Sequence, residues 1–168
     1  MISNADIWLK KCDQELINLL KINNNICYSL TRYEKDKTNN IKLLMSGWNH
    51  PDNNPVGSFD SFIFKSPIQV DYSLINHIQN RPGSEHVFKT ELEYVGIKFF
   101  NPCYDIITIH EHLSNIRTYT KKDDLLWDNE SEKELYSKFK YNKSLTPTPP
   151  LKETTKLLIK YNPHYKHK

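Results

Sequence analysis

Apolar and polar positions alternate along this chain in short blocks of changing period. Leu16, Ile17, Leu19 and Leu20 recur at helical spacing behind Asp13. That spacing predicts a helix from Asp13 to Ile22, capped by Asp13 and broken by Asn23-Asn24-Asn25. Ile26 to Tyr33 alternates as a half-buried strand does, Lys35 to Asn40 is a solvated turn, and Ile41 to Trp48 reads as another strand. His50 to Ser58 holds Pro51, Pro55 and Gly57 and reads as a loop; Ser61-Phe62-Ile63-Phe64 returns to strand before Pro67.

Asp71 to Ile78 has room for one or two helical turns, and Arg81 to Glu85 forms a tight turn. Val87, Phe88, Leu92 and Val95 then share a helical face, with Ser84 as N-cap and Gly96 at the C-terminal end. Ile97 to Phe100 is a short strand ended by Asn101-Pro102. The β-branched run Ile106-Ile107-Thr108-Ile109 is a buried strand that passes into His110-Glu111-His112. Ser131-x-x-Glu134 opens a helix to about Phe139, Thr146 to Pro150 is a stiff spacer, and Tyr161 to Lys168 is a basic, frayed end. Met1 to Trp8 reads as a strand running out into a polar loop. Irregular alternation of strands and helices gives an α/β class, a mixed sheet with flanking helices. No internal repeat is present.

Composition narrows this picture. The 168 residues suffice for one core, and aromatic content of 12% argues against disorder. The formal charge of +3 comes largely from the chain ends, with no basic stripe carrying interleaved aromatics, so nucleic acid is not an expected partner. Cys12, Cys27 and Cys103 are widely spaced and odd in number, as reduced structural thiols are. Without a membrane-length apolar run or a signal-peptide pattern, the expectation is a soluble, cytoplasmic protein.

Four stretches carry chemistry. In an extended backbone His110 and His112 share a face, which suits a divalent metal, and Ser114 and Arg117 follow where a bound anion would sit. Asn4-Ala5-Asp6 supplies a carboxylate and an amide oxygen just past a strand, a pattern fit for Mg2+ or Mn2+ bridging to phosphate. Asp60 enters an aromatic strand, where it can bond sugar hydroxyls while Phe59 and Phe62 stack on a sugar face. Glu85 lies in a first helical turn as a candidate general base, and Arg81 and Arg117 suit pyrophosphate. Each has an ordinary structural alternative: a solvated strand end, an Asn/Asp turn, core aromatics, a decorated helix start, a surface ion pair.

The order of these segments resembles the second half of a family of GT-A type sugar-nucleotide glycosyltransferases. Asn4-Ala5-Asp6-Ile7 stands in the place of the family's metal-binding Asp-x-Asp. Ser58-Phe59-Asp60-Ser61-Phe62-Ile63-Phe64, Pro82-Gly83-Ser84-Glu85, Gly96 to Pro102, and His110-x-His112-x-Ser114-x-x-Arg117-x-Tyr119 follow. The resemblance spans roughly Ile2 to Tyr119. It departs from the family pattern where Phe59 replaces Gln, Phe62 replaces Trp, and Ser84-Glu85-His86 replaces Cys-Asp-Asn.

The resemblance implies a partial GT-A fold in which residues 1–120 form an acceptor-side, metal-binding region. Outside the resemblance, the residue pattern gives a helical extension over 121–142 and a proline-containing linker and basic tail over 143–168. The resemblance implies transfer of a sugar from a nucleotide-sugar donor to a carbohydrate or other hydroxyl acceptor, with Mn2+ or Mg2+ as cofactor. Asp6, Asn4, His110 and His112 would hold the metal, and Ser114, Arg117 and Arg81 would face the diphosphate. Asp60 and Glu85 would act on the sugars, Glu85 as base. Because the chain starts almost on its first motif, the expectation is an N-terminal half that is either separately encoded, and then a partner, or lost. The alternatives are a non-catalytic binding module with the acceptor-side fold and, more distantly, a metal-dependent hydrolase using His110, His112 and Asp60.

Overall fold

A computed structural model describes residues 1–49, 52–75, 84–111, 148–162 and 164–165, though not the side chains of 47–49 and 74. The expected helix at Ser131 lies outside these residues. The class is α/β, with mixed sheets and three helices of eight or more residues among those described. The chain divides into two units. The first holds Met1–Ile68, Ile97–Glu111 and the described part of 147–168; the second holds the described part of 69–96.

In the first unit, the leading sheet orders β1 (Ile2–Ser3), β8 (Ser61–Phe64), β3 (Ile26–Leu30) and β9 (Lys98–Phe100). β8 runs antiparallel to both β1 and β3, and β9 runs parallel to β3. Helix α1 (Gln14–Ile22) begins as its sequence requires, with the Asp13 carboxylate accepting from the backbone N–H of Glu15 at 2.9 Å and Leu16 at 3.1 Å. Its Leu16, Leu19 and Leu20 pack with Ile26, Tyr28, Leu30 and Ile63 of the sheet. The same cluster receives Leu157 and Leu158 from α4 (Thr154–Tyr161), an element that the pattern reading did not include.

Two expectations about this sheet need correction. β3 is buried on both faces, not one, because Cys27, Ser29 and Thr31 are as fully enclosed as Tyr28 and Leu30. The strand also ends at Leu30, and Tyr33 begins a new one. The small polar side chains that suggested an open face are those that a close-packed interior can accommodate at modest cost.

A second sheet orders β2 (Ile7–Lys11), β10 (Ile107–His110), β4 (Tyr33–Lys35) and β5 (Ile41–Leu43). β10 is antiparallel to β2 and parallel to β4, with His110 opposite both Ile7 and Glu34. A hairpin pairs β6 (Met45–Asn49) with β7 (Pro55–Gly57), so part of the expected proline loop is strand. Gly57 is needed there, since a Cβ would meet the Thr31 side chain and come within 2.9 Å of the Leu44 carbonyl oxygen.

The proline segment after 147 is not a free spacer. Pro150 bridges to Asn101, and the Leu151 N–H donates to the Asn101 carbonyl at 2.8 Å. The buried Asn101 amide nitrogen donates to Thr31 Oγ1 and to the Thr148 carbonyl, each at 2.8 Å, while its oxygen accepts from the Thr31 N–H at 3.1 Å.

The second unit has α2 (Tyr72–Ile75) against α3 (Ser84–Tyr94). Val87, Phe88 and Leu92 are buried as expected, but Val95 lies past the helix end and is exposed. Ser84 is the first helical residue rather than the cap. Gly96 ends the helix at φ +89°, a left-handed conformation suited to glycine, with its N–H on the Glu93 carbonyl at 3.0 Å.

Candidate functional site

The first unit gathers five charged or ionisable side chains from four separate stretches. Asp6 lies in the turn between β1 and β2, a turn closed by the Ile7 N–H donating to the Asn4 carbonyl at 3.2 Å. His110 is the last residue of β10, and strand pairing aligns it with β2 on one side and β4 on the other. Their side chains meet: His110 Nε2 and Asp6 Oδ2 are 2.9 Å apart across 104 residues of sequence. The opposite ring nitrogen, Nδ1, is 3.0 Å from Glu34 Oε1. Glu34 Oε1 also accepts from Arg32 Nε at 2.9 Å, and Arg32 Nη1 donates to Asp60 Oδ1 at 2.6 Å. Asn4 closes the row, its amide nitrogen 3.5 Å from the same Asp60 oxygen and its N–H on the Asp60 carbonyl at 3.3 Å.

The row thus runs Asp6, His110, Glu34, Arg32, Asp60, Asn4. Carboxylates alternate with nitrogen-bearing side chains along it, so each acidic group faces an N–H donor or an imidazole nitrogen. His110 and Asp60 are mostly enclosed, with side chains 13% and 12% exposed, whereas Asp6 at 37% is the open end. Burial works to raise the Glu34 carboxyl, but hydrogen bonds from His110 and Arg32, with the Arg32 charge, outweigh it and hold the group below its usual range. Asp60 Oδ2 is buried and has no hydrogen-bond partner among the described residues. At the rim, Glu111 continues from His110 with its N–H on the Asp6 carbonyl at 2.9 Å and its carboxylate paired to Lys35 at 2.8 Å.

Of the residues singled out by sequence, Asp6, Asn4, Asp60 and His110 are therefore brought into one connected group. Glu85 lies in the first turn of α3 in the second unit, where Ser84 Oγ donates to it at 3.3 Å. His112, Ser114, Arg117 and Arg81 lie outside the described residues. Phe59 and Phe62 are core aromatics, 5% and 4% exposed and set edge-to-face at 6.0 Å, so neither offers a face to a sugar. Sequence reasoning missed Arg32 and Glu34, which join the two halves of the row. Their signal was an i, i+2 charged pair that begins two residues after the Ile26–Leu30 strand.

The Asp6–His110 pair suits a small divalent cation in its donor chemistry and spacing. Cis ligands on an octahedral ion with bonds of about 2.1 Å stand about 3 Å apart, close to the 2.9 Å between Asp6 Oδ2 and His110 Nε2. Glu34 cannot join the same ion, because it contacts the other ring nitrogen, which points away. Among the described residues no three His, Cys, Asp or Glu side chains converge as a ready ligand set. Such an ion would take its remaining ligands from phosphate oxygens and water.

No helix among the described residues is long and apolar enough to cross a membrane. No protein-family model, curated protein or solved structure matches the chain.

Proposed function

We propose that this chain is the metal-binding, acceptor-side part of a GT-A type glycosyltransferase, acting in transfer of a sugar from a nucleotide-sugar donor to a hydroxyl acceptor. The observation that carries the reading is the contact between Asp6 and His110, from the two segments whose lettering most resembles the family's metal ligands. Asp6 and His110 would hold a divalent cation, which would supply charge neutralisation for a departing diphosphate. Asp6 and His110 bind, and Asn4 and Arg32 hold Asp60 in place behind them. The family resemblance assigns Glu85, in the second unit, the part of general base toward an acceptor hydroxyl. The family resemblance assigns Ser114, Arg117 and Arg81 to the diphosphate.

The test is calorimetric titration of a panel of sugar nucleotides with and without Mn2+. Asp6→Ala and His110→Ala should each weaken the Mn2+-dependent binding at least tenfold, and equal affinity in parent and variants rejects the assignment. Glu85→Gln should lower turnover far more than donor affinity; unchanged turnover removes it as the base. One observation favours a second reading, a binding module without catalysis: an imidazolium at His110 would satisfy both carboxylates with no metal present. Under that reading His110→Ala lowers stability, and Mn2+ binds neither parent nor variant.

A further inference from the structure

We infer that Glu34 is a positioning residue that fixes the tautomer of His110, holding the ring proton on Nδ1 so that Nε2 presents its lone pair beside Asp6 to a divalent cation. The inference rests on the metal-binding reading above and assigns a role to a residue that the family resemblance does not mention.

The argument begins with hydrogen inventory. A glutamate carboxylate accepts and does not donate, and Glu34 Oε1 already accepts from Arg32 Nε at 2.9 Å. The contact of 3.0 Å between Glu34 Oε1 and His110 Nδ1 is therefore a hydrogen bond only when Nδ1 carries the proton. In a neutral ring that leaves Nε2 bare. Asp6 Oδ2, 2.9 Å from Nε2, is likewise an acceptor, so both contacts are satisfied at once only when positive charge also lies between Nε2 and Asp6. Either a second proton or a metal ion meets the requirement, and the two compete for one position.

Strand geometry makes the arrangement stiff. His110 and Glu34 are paired in register between parallel β10 and β4, so their side chains leave the sheet on the same face. Arg32 fixes the carboxylate from the far side and is itself held by Asp60. A carboxylate behind a ligating imidazole in this manner orients the ring and strengthens its basicity toward metal. The sequence Arg32-Tyr33-Glu34 thus serves the site from behind, with Tyr33 turned to the Cys103 carbonyl at 3.1 Å instead.

The experiment has two readouts on the full chain. Long-range nitrogen–proton correlation of His110, taken at a pH where its shifts show a neutral ring, should find the proton on Nδ1. Mn2+ titration followed by its paramagnetic resonance signal should show Glu34→Gln binding about 10–100-fold more weakly than the parent, since the new amide can donate to Nδ1 and send the ring proton to Nε2. Glu34→Asp, which keeps an acceptor, should recover part of the loss. A parent ring protonated on Nε2 overturns the inference, as does Mn2+ affinity in Glu34→Gln within twofold of the parent. A parent that binds no Mn2+ overturns the metal reading instead, and the Glu34 assignment then stands or falls on the position of the ring proton, which needs no variant.

Discussion

Replacing Arg32 by Met tests whether the row of charges holds together as a connected unit. Met keeps an aliphatic stem and removes the guanidinium. Both partners of the Arg32–Asp60 pair are largely withdrawn from water, at 19% and 12% side-chain exposure, so solvent screening is limited. Opposite charges with centres about 4 Å apart attract by about 4 kcal/mol at an effective dielectric of about 20. Desolvation of both ions offsets roughly half of that, leaving a coupling of about 2 kcal/mol. The single variant loses more, about 3 kcal/mol, because Asp60 keeps only the long Asn4 contact and Glu34 loses its Arg32 bond. Asp60→Asn in the Arg32→Met background should therefore cost less than it does alone. Urea unfolding of parent, both single variants and the double variant closes the cycle. Losses that add to within about 0.5 kcal/mol would show that the two side chains do not depend on one another, and the connected row would be wrong.

Three further outcomes follow from the packing. Leu157→Ala should lower stability by about 2–5 kcal/mol in urea unfolding, because Leu157 is 2% exposed within the α1–α4 cluster; a loss below about 0.5 kcal/mol would mean that α4 does not dock there. Asn101→Ala should cost about 3 kcal/mol, since it strips partners from the buried Thr31 N–H and releases Thr148, and faster proteolysis after residue 147 should accompany it; an unchanged cleavage rate refutes the clip. Stability should also fall in alkali. Burial pushes the Cys103 thiol from 9.0 up to about 12 and raises the Tyr28 phenol above its usual 10.0. Folded pKa values above the unfolded ones leave stability intact below about pH 9 and remove it as pH rises, by about 1.4 kcal/mol per pH unit for each group once its unfolded form ionises. A flat urea-unfolding profile between about pH 8 and 11 contradicts this.

What the sequence determined by itself is mostly local. Asp13 followed by an apolar stripe dictates α1, Gly96 dictates the end of α3, and the β-branched run before His110 dictates β10, since neighbouring residues decide each of these. The helix at Thr154 was equally legible, with Leu151, Thr154, Leu157, Leu158 and Tyr161 at helical spacing, but the adjoining prolines and lysines drew the reading toward a linker. Asp6, Asp60 and His110 were legible as polar groups beside apolar strands, in segments whose order resembles that of a known family.

Only the tertiary structure decided who the partners are. Whether Cys27, Ser29 and Thr31 face water depends on what covers β3, and the alternating pattern is the same in either case. Phe59 and Phe62 are equally apolar at a sugar platform or in a core, and burial alone separates the two. Arg32 and Glu34 acquire meaning when β4 is laid parallel to β10, a pairing between residues 76 positions apart that no local pattern encodes. Strand order places His110 between two carboxylates, and strand order is a property of the whole chain's packing rather than of any one segment's period.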